Sequence, residues 1–373
     1  MTRPVRKAQG PWARRVLAPM LAPALAIVLA SASLAAHAQA LKKIYRASAT
    51  KIISPLEINF IVPQVLGYYK EEGLDVELLP LGSNAAVLAA LQAKRIQFGT
   101  GVPSFQLPML AKGGELPFIN YFEHTYPFKY GLAVNPSSTA KGFEDFKGKK
   151  IGVSNFGGSE YEVGKAIVRM VGLDPDKDVT WIAVGENITA GEAMRRNEID
   201  ALFYYDSAFG AIEAAGIPIK YLALPKNVPQ VGGGYTMALK ETLRNDRKTA
   251  VGLARAVFKA TIFIQTNPEA AAFLFLKAFP EAGAKGKPLE EQVRLVQMQI
   301  NKRYPLYSNP DKSVTRRGFI NANEWVEEVK FAGLTGKVNP AVLYTNELSD
   351  ESNNFDAEKI RQEARNFKLP YKK

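Results

Sequence analysis

The segment Val153-Ser154-Asn155-Phe156-Gly157-Gly158-Ser159-Glu160 carries the clearest chemical signal in the chain. An apolar strand pattern runs into two glycines that open a helical pattern. The first N–H groups of a helix have no partner within it, and the helix dipole adds positive potential there. Such an end binds anions. Gly157 and Gly158 let the backbone approach a ligand, and Ser159 adds a hydroxyl. No Gly-Lys-Ser/Thr and no G-x-G-x-x-G follows, so this is not a nucleotide phosphate loop. A tight turn with Ser159 as a helix cap would look the same. Ser83-Asn84 has the same dual character, an anion site or an ordinary N-cap.

Aromatic residues crowd the same regions: Phe105, Phe122, His124, Tyr126, Phe128, Phe156, Tyr204, Tyr205 and Tyr235. They suit a pocket for an organic body, or equally a core. Asp206 follows Tyr204-Tyr205 and is suited to holding a ligand amine or hydroxyl, or to locking a hinge. A catalytic or metal role for His124 would need partners, and only Glu123 stands beside it. No Ser-His-Asp order, carboxylate pair or metal motif stands out. The chain has no cysteine. Thiol nucleophiles, Cys-ligated zinc, iron–sulfur clusters and a lipid-modified cysteine are thereby excluded.

These residues need a scaffold. Ile44–Ala49 reads as a strand, Glu57–Tyr69 as a helix ended by Gly73, and Asp75–Leu79 as a strand. A helix from Ala85 to Ala93 and a strand from Ile96 to Gly99 follow. This β-α-β-α-β order predicts a mostly parallel sheet, with ligands at the loops leaving its carboxyl ends. Those loops hold Ser54, Ser83, Asn84, Pro103 and Ser104. A second unit runs through strands Lys149–Val153, Val179–Val184 and Ala201–Tyr205. Two α/β lobes with a cleft between them are expected, because a single core stops growing at roughly 250–300 residues. From Leu239 onward the pattern is helical: Arg247–Asn267, Pro268–Phe279, Glu290–Lys302, Arg317–Ala332 and Asp356–Phe367.

The 373 residues include 48 Lys and Arg against 36 Asp and Glu, a net charge of +12. Five of the basic residues (Arg3, Arg6, Lys7, Arg14 and Arg15) precede an apolar stretch from Val16 to Ala36, and Ala36-His37-Ala38 follows. The order is that of a secretory signal peptide over 1–38, with cleavage after Ala38 or Ala40. A membrane anchor fits less well, since Pro19 and Pro23 interrupt the run. Without those five charges +7 remains, spread among acids. No concentrated basic face for nucleic acid is expected.

Four segments resemble the nitrate/sulfonate/taurine-type periplasmic binding proteins of ABC importers, whose relatives include thiamine-pyrimidine precursor binders. They are Pro63–Glu77 (the GYFKKEGLDVEL pattern), Ala89–Gly99 (ALASGQIDFG, with Gln97 where aspartate is usual), Phe146–Val153 (DLKGKKIGV) and Asn197–Ala201 (G-x-IDA). They stand in family order. The resemblance implies a type II periplasmic binding fold, with two crossovers near Tyr130–Val134 and Gly232–Leu239 and a helical tail returning to the first lobe. The first lobe is expected over 41–130 and 236–373, the second over 131–235. The implied function is capture of a small organic anion, a sulfonate or carboxylate with aromatic bodies included, for an ABC permease of the inner membrane. A periplasmic monomer without cofactor, metal or nucleic acid is expected. The ligand-facing residues would be Ser54, Ser83, Asn84, Pro103, Ser104, His124, Phe156, Gly157, Gly158, Ser159, Tyr205 and Asp206. Two alternatives stand. The family's pyrimidine synthases use a histidine, a lysine-bound cofactor and a cysteine-rich motif that this chain lacks. A sensory protein would present the same ligand to a receptor.

Overall fold

In a strand, successive side chains face opposite ways. In Lys42–Ser48 (β1) Ile44 and Arg46 are buried on one face and Ala47 on the other. Burial on both faces is the mark of a sheet covered by helices on each side. The computed structural model describes residue 1 and residues 40–372. The expected signal peptide and its cleavage sites lie outside the described residues, apart from Met1 and Ala40. Among the described residues no helix is long and apolar enough to cross a membrane.

Two five-stranded sheets organise the described residues. The first contains β1, Leu74–Pro80 (β2), Phe98–Gly101 (β3), Phe118–Thr125 (β4) and Gly234–Leu239 (β10), in the order β2-β1-β3-β10-β4. The second contains Tyr130–Val134 (β5), Lys149–Val153 (β6), Val179–Ala183 (β7), Ala201–Tyr205 (β8) and Lys220–Leu222 (β9), in the order β7-β6-β8-β5-β9. β1 pairs in parallel with β2 and β3, and β6 with β7 and β8. β10 and β5 run antiparallel to their neighbours, so both sheets are mixed. The chain passes between sheets twice, through 126–129 and 223–233. β5 and β10, expected as crossovers, each pair along their length within a single sheet.

Local chemistry sets the helix ends. The Ser83 hydroxyl accepts the Ala86 N–H at 3.1 Å and starts the helix Asn84–Gln92. Gly67 takes a φ of +83° and ends Ile58–Leu66. Pro103, read as loop, occupies the first turn of a helix, Pro103–Ala111, where its missing N–H costs nothing. Arg317–Ala332 shrinks to Ala322–Phe331.

The helical tail does more than return to the first lobe. Arg247–Thr266 and Pro268–Ala278 belong to the first lobe's core. Leu289–Arg303 packs against Pro268–Ala278 and also against Asp206–Ala214 of the second lobe. A Cβ on Gly210 would lie 2.7 Å from the Gln299 Cα, so only glycine permits that approach.

Candidate functional site

A cavity of about 120 Å³ lies between the two sheets and is lined from both. Its first-lobe wall is built on β1. The Arg46 side chain, 1% exposed, gives one bond to Glu57 Oε2 and one to Thr100 Oγ1, each 2.9 Å. Its guanidinium lies 3.6 Å from the centre of the Phe60 ring. Glu57 closes a short 3₁₀ turn, Pro55–Glu57, whose N-cap is Ser54. The Ser54 hydroxyl accepts the Leu56 N–H at 3.3 Å, so Ser54 shapes the wall from behind. His124, at the end of β4, meets Phe60 edge-on at 5.1 Å. Burial and the nearby Arg46 hold its imidazole well below the usual range, which keeps it neutral. Its Nδ1 lies 3.2 Å from Thr125 Oγ1, and its buried Nε2 has no protein partner.

The second-lobe wall is the glycine-rich loop and the start of the helix Ser159–Met170. Tyr130 donates its hydroxyl to Ser159 Oγ at 2.8 Å. Glu160 folds back over the helix entrance, where its Oε1 accepts the Ser154 hydroxyl. A Cβ on Gly158 would come within 2.4 Å of that same carboxyl oxygen. The positive end of this helix thus holds a carboxyl of the chain itself. Burial raises that carboxyl's pKa above the usual range.

Two contacts close the cleft. Asn84 Nδ2 donates to the Gly157 carbonyl at 3.4 Å, and the Lys51 N–H donates to Glu186 Oε1 at 3.4 Å. Asn84 Oδ1 is buried on the cavity without a partner. The Tyr204 hydroxyl accepts the Asn187 N–H and donates to the Gly185 carbonyl, each at 3.0 Å, so it fixes the loop that carries Glu186.

The cations complete the site. Arg303, the last residue of Leu289–Arg303, reaches the cavity and grips Asp206 with two nitrogens, Nε lying 2.8 Å from Oδ2. Arg46 and Arg303 are therefore both neutralised by carboxylates. Lys129, in the first crossover, has no carboxylate at ion-pair distance among the described residues. Its Nζ lies 5.3 Å from the Tyr130 ring centre. Burial, with Arg303 nearby, brings its pKa down to about 8. It remains mostly charged at neutral pH and faces the cavity.

Of the residues expected at the ligand, Asn84, His124, Gly158, Ser159 and Tyr205 line the cavity. Ser54 and Ser83 serve as caps one layer back. Pro103 and Ser104 enter a helix, and Val102 takes the lining position. Phe156 is 54% exposed and points outward. Gly157 closes the cleft edge through its carbonyl, and Asp206 sits behind Arg303. The charged lining of Arg46, Glu57, Lys129, Glu160, Glu186 and Arg303 was not anticipated. Arg46 had a legible signal, since it shares a strand face with Ile44. Among the described residues, no three or more His, Asp or Glu side chains converge as metal ligands would.

The fold has known counterparts. The chain is 22% identical over 206 residues to YtlA of Bacillus subtilis (strain 168), a match covering 55% of this chain and 62% of that protein, which is less than two thirds of its length. It is 23% identical over 242 residues to the 4-amino-5-hydroxymethyl-2-methylpyrimidine phosphate synthase of Legionella pneumophila, covering 61% of this chain and 71% of the enzyme. Among solved structures, a protein of Bordetella bronchiseptica RB50 superposes with a TM-score of 0.65 at 23% identity, over 83% of this chain and 96% of that one. The periplasmic aliphatic sulphonate binding protein SsuA of Escherichia coli superposes with a TM-score of 0.60 at 16% identity, over 81% and 91%. The fold is that of the periplasmic binding proteins. A family model described as NMT1/THI5 like matches residues 55–271. The chain belongs to the NMT1/THI5-like family.

Proposed function

We propose that the chain is the periplasmic solute-binding component of an ABC importer, which captures a small organic anion between its lobes and delivers it to a permease. The observation that carries this reading is Lys129, a cation without a carboxylate partner on a cavity lined from both lobes. A ligand that touches both walls stabilises the closed arrangement over an open one, because only closure supplies both sets of contacts. Arg46 Nε, Asn84 Oδ1 and His124 Nε2 are buried polar atoms without protein partners, on residues that line this cavity. Such atoms cost free energy until something meets them. About 120 Å³ is comparable to an engineered protein cavity of about 150 Å³ that holds benzene. The size suits a short sulfonate or carboxylate of a few carbons. The sulphonate binding protein that shares the fold supports the reading. Titration calorimetry with methanesulfonate, ethanesulfonate, benzoate and 4-amino-pyrimidines tests it. Binding of the anions, weakened in Lys129→Ala, is expected; binding confined to neutral or cationic compounds refutes it.

One observation favours a second reading, that of a pyrimidine synthase: His124 and Lys129 both line the cavity, and the Legionella relative is such an enzyme. A pyridoxal cofactor on Lys129 would need far more room than this cavity offers, and the chain lacks the cysteine-rich motif. A lysine-bound pyridoxal absorbance after incubation with pyridoxal phosphate would support the enzyme.

A further inference from the structure

The two crossovers, 126–129 and 223–233, are the covalent links between the sheets, so lobe motion must turn on them. The second lies against Tyr130, the strand residue that directly follows the first. Gly232, with a φ of +88°, lies so close to Tyr130 that a Cβ there would sit 2.2 Å from the ring. Tyr130 lines the cavity, and Lys129 precedes it. Behind Gly232 stands Glu328, from the helix Ala322–Phe331. It is 3% exposed, and its Oε1 accepts the Gly232 N–H at 2.6 Å. No cation lies at ion-pair distance from Glu328 among the described residues. Buried Glu328 and half-buried Lys129, neither in an ion pair among the described residues, thus flank the place where Gly232 meets Tyr130.

We infer that Glu328 is a positioning residue for the cavity: through Gly232 it anchors the second crossover, and through its charge it sets how fully Lys129 presents a cation to a bound anion, so that ligand capture is linked to a proton. The inference rests on the organic-anion reading above. Glu328 accepts the Gly232 N–H, and the charges of Glu324 on its own helix and of Lys129 in the first crossover act on it. Glu123 on β4 and Tyr235 on β10 belong to the same buried cluster, and both feel the charge of Glu328. Lys129 in turn faces Arg303, Asp206 and Glu160. Burial lifts the Glu328 carboxyl to about 7, while Gly232 and Lys129 oppose the rise. Its charge therefore changes near neutral pH. When Glu328 is protonated, Lys129 is free for the ligand. When it is ionised, it competes with the anion for that charge. An anion arriving at Lys129 should draw a proton onto Glu328, and by reciprocity a lower pH should tighten binding.

The test uses the full mature chain labelled with [15N]glycine and [13Cε]lysine. In the ligand-free protein, the Gly232 amide and the Lys129 ε-carbon are expected to show a common step near pH 7. Glu328→Gln removes that step from both and lowers the Lys129 midpoint. A purely structural Glu328 would leave the Lys129 titration unchanged, and an identical single-step curve in both proteins overturns the inference. Should Glu328→Gln fail to fold, the wild type still decides: steps at different pH values in the two probes overturn it. With methanesulfonate as probe, wild-type affinity should fall by up to about tenfold per pH unit around pH 7, and the variant should stay flat there. A common step without any methanesulfonate binding would sustain the Glu328–Lys129 coupling and overturn the anion reading instead.

Discussion

Arg303 and Asp206 form a buried ion pair through which the C-terminal region holds the second lobe. The side chains are 4% and 14% exposed, and they bond through two guanidinium nitrogens. Arg303→Met removes the charge and keeps most of the length. It leaves Asp206 buried beside an apolar group, which costs about 3–5 kcal/mol. Asp206 also accepts the Ser207 N–H at 2.6 Å, a bond that asparagine retains. Asp206→Asn therefore isolates the ion pair from the helix start. A double-mutant cycle should return a coupling of about 1–3 kcal/mol. Urea unfolding followed by fluorescence measures it, and two tryptophans separate the lobes. Trp181 lies on β7 of the second sheet, while Trp325 packs with the first lobe's Tyr235. Because the helix ending at Arg303 contacts both lobes, both signals should shift to lower urea together. Strictly additive single and double variants, or a loss confined to Trp181, would refute this account of the contact.

Three further outcomes are expected. Lys129→Ala should weaken anion binding about ten- to a hundredfold by calorimetry, since a charge-assisted hydrogen bond contributes about 1.5–3 kcal/mol. Gly232→Ala combines a left-handed backbone with the Tyr130 ring, so it should lower stability by about 1–3 kcal/mol in thermal melts; Gly148→Ala, at a φ of +73° with nothing within 4 Å, is the milder control. Glu328 gives stability a pH slope of defined sign. Its carboxyl rises from an ordinary 4.5 to about 7 on folding, so the stabilising proton is fully present below about 4.5 and is lost as pH rises through about 7. Between pH 5 and 8 the wild type should lose about 2–3 kcal/mol of unfolding free energy more than Glu328→Gln does.

The two β-α-β-α-β units were legible because strand alternation, apolar helix faces and glycine stops are local patterns. The charged interior of the cleft was not, because its pairs are distant in sequence. Arg303 and Asp206 are 97 positions apart, and nothing near either residue marks the other. Lys129 sits in a short connection whose composition says only that the chain turns. Pro103 was misread because proline ends a strand pattern and begins a helix with equal ease, and only the packing decides. The glycine loop was placed at the cleft, yet Glu160, one residue past Ser159, changes its electrostatics by turning back over the helix start. A helix entrance reads as an anion site until a side chain of the same helix is seen to occupy it.

The position of β10 between β3 and β4 bears on the order of assembly. The ribosome makes β1 to β4 first, but β4 joins the first sheet only through β10, which follows the whole of the second lobe. The second sheet needs only 130–222, one unbroken stretch, and can therefore close while the first is still missing its inner strand. Until Gly234–Leu239 arrives, β3 and β4 carry open hydrogen-bonding edges, which is the condition under which strands pair with the wrong partner. A chain that emerges N-terminus first is thus most exposed to misassembly while its middle third appears, and a chaperone acting there would matter more than one acting at either end.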